Sequence, residues 1–200
     1  MKVLPFGDAA VLVELSGLDE VLGFAAAVRD LDEVLDVVPA ARTVLVVVEP
    51  GTALDPLVGR LTSLSFSPSG SSEGETVEID VVYDGPDLAD VARLTGLSED
   101  EVVSAHTGTP WRIAFGGFAP GFAYLTGGDP RLEVARRDEP RTTVPAGAVG
   151  LAGEYSGVYP RPSPGGWQLI GRTEAVLWDA SRQPPALLVP GGSVRFRVAS

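Results

Sequence analysis

Three short stretches of this 200-residue chain carry residue types that could bind and activate a small anion. Residues 136–147 read RRDEPRTTVPAG, and Arg141 stands between Pro140 and Pro145, which restrict the backbone on either side. A stiff loop presents its guanidinium with little entropy left to lose, and guanidinium grips carboxylate or phosphate with two parallel N–H bonds. Arg141 is therefore a candidate oxyanion or carboxylate clamp, with Arg137 beside it; the plain alternative is a salt bridge to Asp138, Glu139 or a neighbouring strand. Residues 115–125 read FGGFAPGFAYL. Gly116, Gly117 and Gly121 permit positive φ, so successive N–H groups could converge on an anion while Phe118, Phe122 and Tyr124 exclude water. The same spacing equally suits a tight barrel corner packed with aromatic rings. It matches neither G-x-G-x-x-G nor a Walker A loop, because the only lysine is Lys2.

Residues 163–173 read SPGGWQLIGRT, a Pro-Gly-Gly turn running into an alternating strand. Here Trp167 offers a stacking face, Gln168 an amide that both donates and accepts, and Arg172 a second cation, although Trp167 and Ile170 equally suit a core. His106 is the only histidine. It ends a predicted helix, where the dipole favours its protonated form, so it is a general acid or base or else a packing residue. A lone histidine is not a metal site, and the absence of cysteine excludes a thiolate nucleophile and thiolate ligation.

The elements that must hold these groups follow from hydrophobic periodicity. Residues 3–15, with a turn at Gly7-Asp8, suggest a short hairpin or two strand pieces. Leu18, Val21, Leu22, Ala25, Val28, Leu31 and Leu35 recur at helical spacing and predict one helix reaching Leu35. Residues 43–48 (TVLVVV) predict a buried strand, and 55–64 a second helix. Residues 66–75 lie in a run poor in apolar residues and rich in Ser, Gly and Pro, which predicts a linker between an N-terminal α/β domain (1–65) and a second domain (76–200). Beyond it come a strand at 76–83, helices at 87–95 and 98–105, the second opened by the capping-box pair Ser98 and Glu101, and short strands typical of an irregular β-barrel, the last at 193–199.

Net charge is −12, distributed as −15 over residues 1–109 and +3 over 110–200. So acidic a chain is repelled by phosphate backbones, and carboxylates on the helix EDEVVSAH argue against a DNA-reading helix pair. The longest apolar run, 44–48, is far short of the roughly 20 residues a membrane span needs, and no leader is evident, so a cytoplasmic address is expected.

Taken in order, FGGFAPGFAYL, PRTTVPAGAVGLAGEYSGVYP and SPGGWQLIGRT resemble the family of allophanate hydrolase subunit 1, the KipI inhibitor and the B subunit of 5-oxoprolinase. The segments YDGPDLADVARLTGLSEDEVVSAH and PPALLVPGGSVRFRV extend the likeness over most of residues 76–200, and the opening FGDAAVLVEL carries it less distinctively. The resemblance implies an α+β protein, a small N-terminal α/β domain joined to a C-terminal cyclophilin-like β-barrel. It implies ATP, with Mg2+, as co-substrate for opening 5-oxo-L-proline to L-glutamate, by a complex in which this chain alone is inactive. The implied partners are a second cyclophilin-like subunit (subunit 2 or C) together with a LamB-like A subunit. Related readings are a urea- or allophanate-processing enzyme and an inhibitor of a sensor histidine kinase. On this resemblance Arg141, Arg172 and His106 are the catalytic candidates. Gly116, Gly117, Phe118, Gly121, Phe122, Tyr155, Trp167 and Gln168 are the binding candidates. Two departures stand out: Tyr155 occupies a place where the family commonly has Gln, and Gly116 one where it has a bulky aliphatic residue.

Overall fold

The computed structural model describes residues 1–68 and 74–199. Two compact units result, Met1–Ser71 and Ser72–Ser200. The middle of the expected linker, 69–73, lies outside the described residues.

In the first unit, β1 (Lys2–Pro5) and β2 (Ala10–Glu14) form the expected hairpin, and β2 pairs with β4 (Thr43–Val48) in the sheet order β1-β2-β4-β3. Helices α1 (Leu18–Val28) and α2 (Leu54–Ser63) join that sheet in one apolar core containing Val13, Phe24, Val44, Val46, Leu57 and Leu61. The helix expected to reach Leu35 instead ends at Val28. Turns at Leu31 and Val34 reverse the chain, and β3 (Val34–Pro39) becomes a strand beside β4. Leu31 and Leu35 fit a helical stripe by count alone; the β-branched Val34, Val37 and Val38 favour a pleated edge, which leaves Leu35 exposed.

The second unit begins with β5 (Thr76–Val81), followed by α3 (Leu88–Thr95) and α4 (Glu99–Gly108). Gly96, at φ 73°, ends α3 in the left-handed conformation that lacks a Cβ penalty. Both bonds of the Ser98–Glu101 capping box are made, at 2.8 and 3.2 Å. Then come β6 (Trp111–Gly116), β7 (Ala123–Thr126), β8 (Arg141–Val144), β9 (Ala148–Ala152), β10 (Tyr155–Val158), β11 (Ser163–Gly165), β12 (Gln168–Arg172) and β13 (Ser193–Val198). Seven of these strands form a sheet in the order β12-β9-β10-β7-β6-β13-β5, while β8 and β11 pair separately. Reciprocal 2.9 Å hydrogen bonds between Val82 and Arg172 join the two ends of the sheet and nearly close the cyclophilin-like barrel.

Strand alternation then sorts the side chains. Ala123, Leu125, Val149, Leu151 and Ile170 share a core with α3, α4, Trp111 and Phe196. Their neighbours on the other face, Phe122, Ala148, Ala152 and Leu169, pack with Val144, Tyr159 and Trp167. A bulge in β6 between Ile113 and Phe115 breaks the alternation, so that Phe115 leaves the face of Trp111 and Ile113 and stacks on Tyr124 instead, at 4.6 Å.

Candidate functional site

The three motifs picked out by residue type converge around Tyr159. The β6–β7 turn brings Phe118 to 6.0 Å and Phe122 to 5.5 Å from the Tyr159 ring, and Trp167 lies 5.5 Å from Phe122. Gly165, in the Pro-Gly-Gly turn, sits so close that a Cβ there would overlap the Tyr159 hydroxyl, and it pairs in register with Arg141. Arg137 donates its backbone N–H to Gly166 at 2.8 Å, which ties in the proline-flanked loop. Phe122, Tyr159 and Trp167 are buried, as the packing alternative expected, and Tyr155 joins this cluster through Tyr124, 5.6 Å away; burial, and then the neighbouring Glu154 carboxylate, push its phenol up to about 12. Rings can crowd together here because position 157 is glycine: a Cβ would meet Phe122 at 2.9 Å and Trp167 at 3.0 Å.

Strain is concentrated at the turn. The Ala119 N–H donates to the Gly117 carbonyl at 2.7 Å around Phe118, whose φ is 64°, the rare γ-turn form that costs an L-residue about 1–3 kcal/mol. Phe118 is also 55% exposed. The N–H groups of Gly117, Ala119 and Phe122 are all donated to carbonyls inside the turn, so three of the donors an anion nest needs are already spent.

Arg141 is held by a residue that spacing did not single out. Asp87, just before α3 and 1% exposed, accepts from Arg141 Nη1 and Nη2 at 2.9 and 2.8 Å, from Arg137 Nη1 at 2.8 Å and from the Leu169 N–H at 2.7 Å. Burial alone raises a carboxyl pKa; here the bonds from Arg141 and Leu169 and the two positive charges outweigh it and hold Asp87 below the usual carboxylate range. The clasp pins the start of α3 to β8 and β12 and fixes the loop carrying residues 133–140. The salt bridge expected as Arg141's alternative role is present, with Asp87 as the partner in place of Asp138 or Glu139. In sequence Asp87 follows an Asp-Gly-Pro turn and reads as the start of a helix; only its burial separates it from any other helix-starting aspartate.

His106 lies elsewhere, fully buried among the barrel core. Its Nδ1 is 2.7 Å from the Tyr83 hydroxyl, its Nε2 2.9 Å from the Ser156 hydroxyl, and its ring stacks on Phe196 at 4.3 Å. The helix-dipole expectation of a protonated ring is corrected by this setting. Desolvation brings His106 down to about 3, so it is neutral at physiological pH, and burial drives the Tyr83 phenol far above its ordinary range.

Arg172 stands at the far end of β12 from Trp167, 56% exposed, donating to Asp84 at 3.0 Å with Glu174 at 3.9 Å. Each candidate cationic clamp is thus matched by its own carboxylate. Gln168 does not bond within the aromatic cluster but donates to the Ala135 carbonyl at 3.2 Å. Among the described residues no group of three or more His, Cys, Asp or Glu side chains is placed to hold a metal ion, and no helix is long and apolar enough to cross a membrane.

Comparison with known proteins places this arrangement. Residues 1–188 match the family of the carboxyltransferase domain, subdomains C and D. The chain is similar to the B subunit of 5-oxoprolinase from Escherichia coli O157:H7, 40% identical over 95% of this chain and 92% of that protein. To the Haemophilus influenzae protein of the same name it is 34% identical, over 99% of this chain and 98% of the relative. The crystal structure of TTHA0988 superposes with a TM-score of 0.80 at 34% identity; 96% of this chain is matched, but it spans only 40% of that longer chain. A shorter match, 32% identical over 53% of this chain and 6% of the relative, is to urea amidolyase of Saccharomyces cerevisiae.

Proposed function

This chain belongs to the family of the carboxyltransferase domain, subdomains C and D, and on that footing we propose that it is the B subunit of a 5-oxoprolinase that couples ATP hydrolysis to opening of 5-oxo-L-proline to L-glutamate. The observation that carries the reading is the likeness to proteins named as B subunits of 5-oxoprolinase across nearly the whole length of both chains, through both units. A five-membered lactam is a poor electrophile with a poor leaving group, and phosphorylating its amide oxygen would correct both faults. Such a step needs donors around developing charge. Arg141 and Arg172 already serve Asp87, Asp84 and Glu174, so ATP with Mg2+ belongs in this proposal to the assembled complex and not to this chain by itself.

The companions are a LamB-like A subunit, which completes the complex, and a second cyclophilin-like subunit. The exposed, strained Phe118 beside Tyr159 suits a contact with the cyclophilin-like companion. The urea amidolyase likeness favours, as a second reading, a small urea derivative as substrate. Co-expression with candidate companions, followed by assay of substrate-dependent ADP formation, separates the two. ADP and glutamate released only with oxoproline and only by the assembled complex is the expected result. Turnover of a urea derivative but not oxoproline would replace the first reading by the second.

A further inference from the structure

A cleft of about 460 Å³ opens beside α3, lined by Arg93, Arg136, Arg137 and Gln168. That volume falls in the range of small-molecule sites. Arg93 is paired with Asp90 at 3.0 Å and Arg137 with Asp87 at 2.8 Å, whereas Arg136 makes no ion pair among the described residues. Asp138 and Glu139 also line the cleft, so it combines a spare cation with acceptors and is not a simple anion trap. Two polar atoms of the lining have no partner among the described residues: Gln168 Oε1, an acceptor, and Arg137 Nε, a donor, both shielded from water. Gln168 is only 6% exposed. Orphaned buried groups are costly and call for an explanation.

Gln168 and Arg137 are neighbours, tied by the bond from the Arg137 N–H to the Gly166 carbonyl and by that from Gln168 Nε2 to the Ala135 carbonyl, and an acceptor with a donor so placed complements a group that presents an N–H and a C=O along one edge. A trans amide points these in opposite directions; a lactam, whose ring fixes the amide cis, presents both together, and so does a urea. We infer that this cleft binds a small carboxylate bearing a cis-amide edge, its N–H given to Gln168 Oε1, its C=O accepting from Arg137 Nε and its carboxylate facing Arg136. Both atoms are covered, so binding requires side-chain rotation: Gln168 turns about its broad terminal torsion and gives up its bond to the Ala135 carbonyl, and Arg137 shifts about its bond to Asp87 to uncover Nε. The choice of 5-oxoproline over a carboxylated urea as the natural occupant rests on the function proposed above; the cis-amide chemistry does not.

The test is saturable binding to the full chain, followed by NMR shifts of Leu94 and Ala135 in the cleft. The probes are 5-oxo-L-proline, its N-methyl derivative, pyrrolidin-2-one and allophanate. Binding of oxoproline is expected, with about tenfold or greater weakening on N-methylation, on loss of the carboxylate, in Arg136→Gln and in Gln168→Met, the fold-change of one charge-assisted or buried hydrogen bond. Binding of allophanate in place of oxoproline keeps the site and changes its occupant. Absence of saturable binding by either acid, or binding indifferent to N-methylation and to Arg136→Gln, overturns the inference. Oxoproline bound at the cleft by a chain whose complexes never hydrolyse it would sink the proposed function and leave the site standing.

Discussion

Two nearly inaccessible titratable side chains in the C-terminal unit are held in opposite charge states. His106, at 0% exposure, is surrounded by two hydroxyls and three aromatic rings, with no charge to compensate its own, and is neutral. Asp87, at 1%, is met by two guanidinium groups and a backbone N–H, and is ionised. Burial is common to both; the compensating charge decides the outcome. The two settings also differ in what they leave unpaired. The His106 knot satisfies both ring nitrogens, whereas around the Asp87 clasp donors are left over, at Arg136 and at Arg137 Nε.

Removing one partner breaks the comparison most severely. Asp87→Ala strands two partly buried guanidinium groups and should cost about 3–5 kcal/mol in denaturant unfolding. A loss under about 1 kcal/mol would show that the clasp is a surface pair and not a buried one.

Acid titration sharpens the contrast next. The unfolded chain protonates its histidine near pH 6.5 while the folded one resists to about 3. Stability contributed by His106 is therefore complete above about pH 6.5 and falls by about 1.4 kcal/mol per pH unit below it. Asp87, whose carboxyl is depressed, contributes stability above the unfolded carboxyl value of about 4, lost only as pH drops through its lower folded value. His106→Asn should flatten the slope between those two windows, measured by unfolding at a series of pH values; an unchanged slope would mean that the ring is not neutral when folded. The smallest effect belongs to Arg172→Ala, which removes an exposed pair and should change stability by about 0–1 kcal/mol.

Much of this was readable from periodicity and punctuation. Gly96 and the Ser98–Glu101 pair marked the ends of the two helices, and alternation marked β5 and β13. The buried aromatic cluster followed from FGGFAPGFAYL and SPGGW once strands brought them together, although the bulge that turns Phe115 towards Tyr124 leaves no mark in composition. Strand β3 was hidden because leucines at 31 and 35 satisfy both a helical and an extended count. Asp87 was hidden for a deeper reason. Its role depends on burial and on arginines 50 and 54 residues away, which no local pattern encodes. The same holds for Gln168, whose orphaned oxygen exists only relative to a cleft built by α3 and residues 135–139.

The most direct test of where the chemistry sits is the steady-state oxoproline dependence of ADP formation by complexes assembled with the natural chain, Arg136→Gln or Arg172→Ala. With function on the Asp87 side, Arg136→Gln raises KM for oxoproline by about tenfold or more with kcat little changed, as expected for lost ground-state binding, and Arg172→Ala matches the natural chain. Collapse of kcat in Arg172→Ala together with an unaltered KM in Arg136→Gln would contradict it.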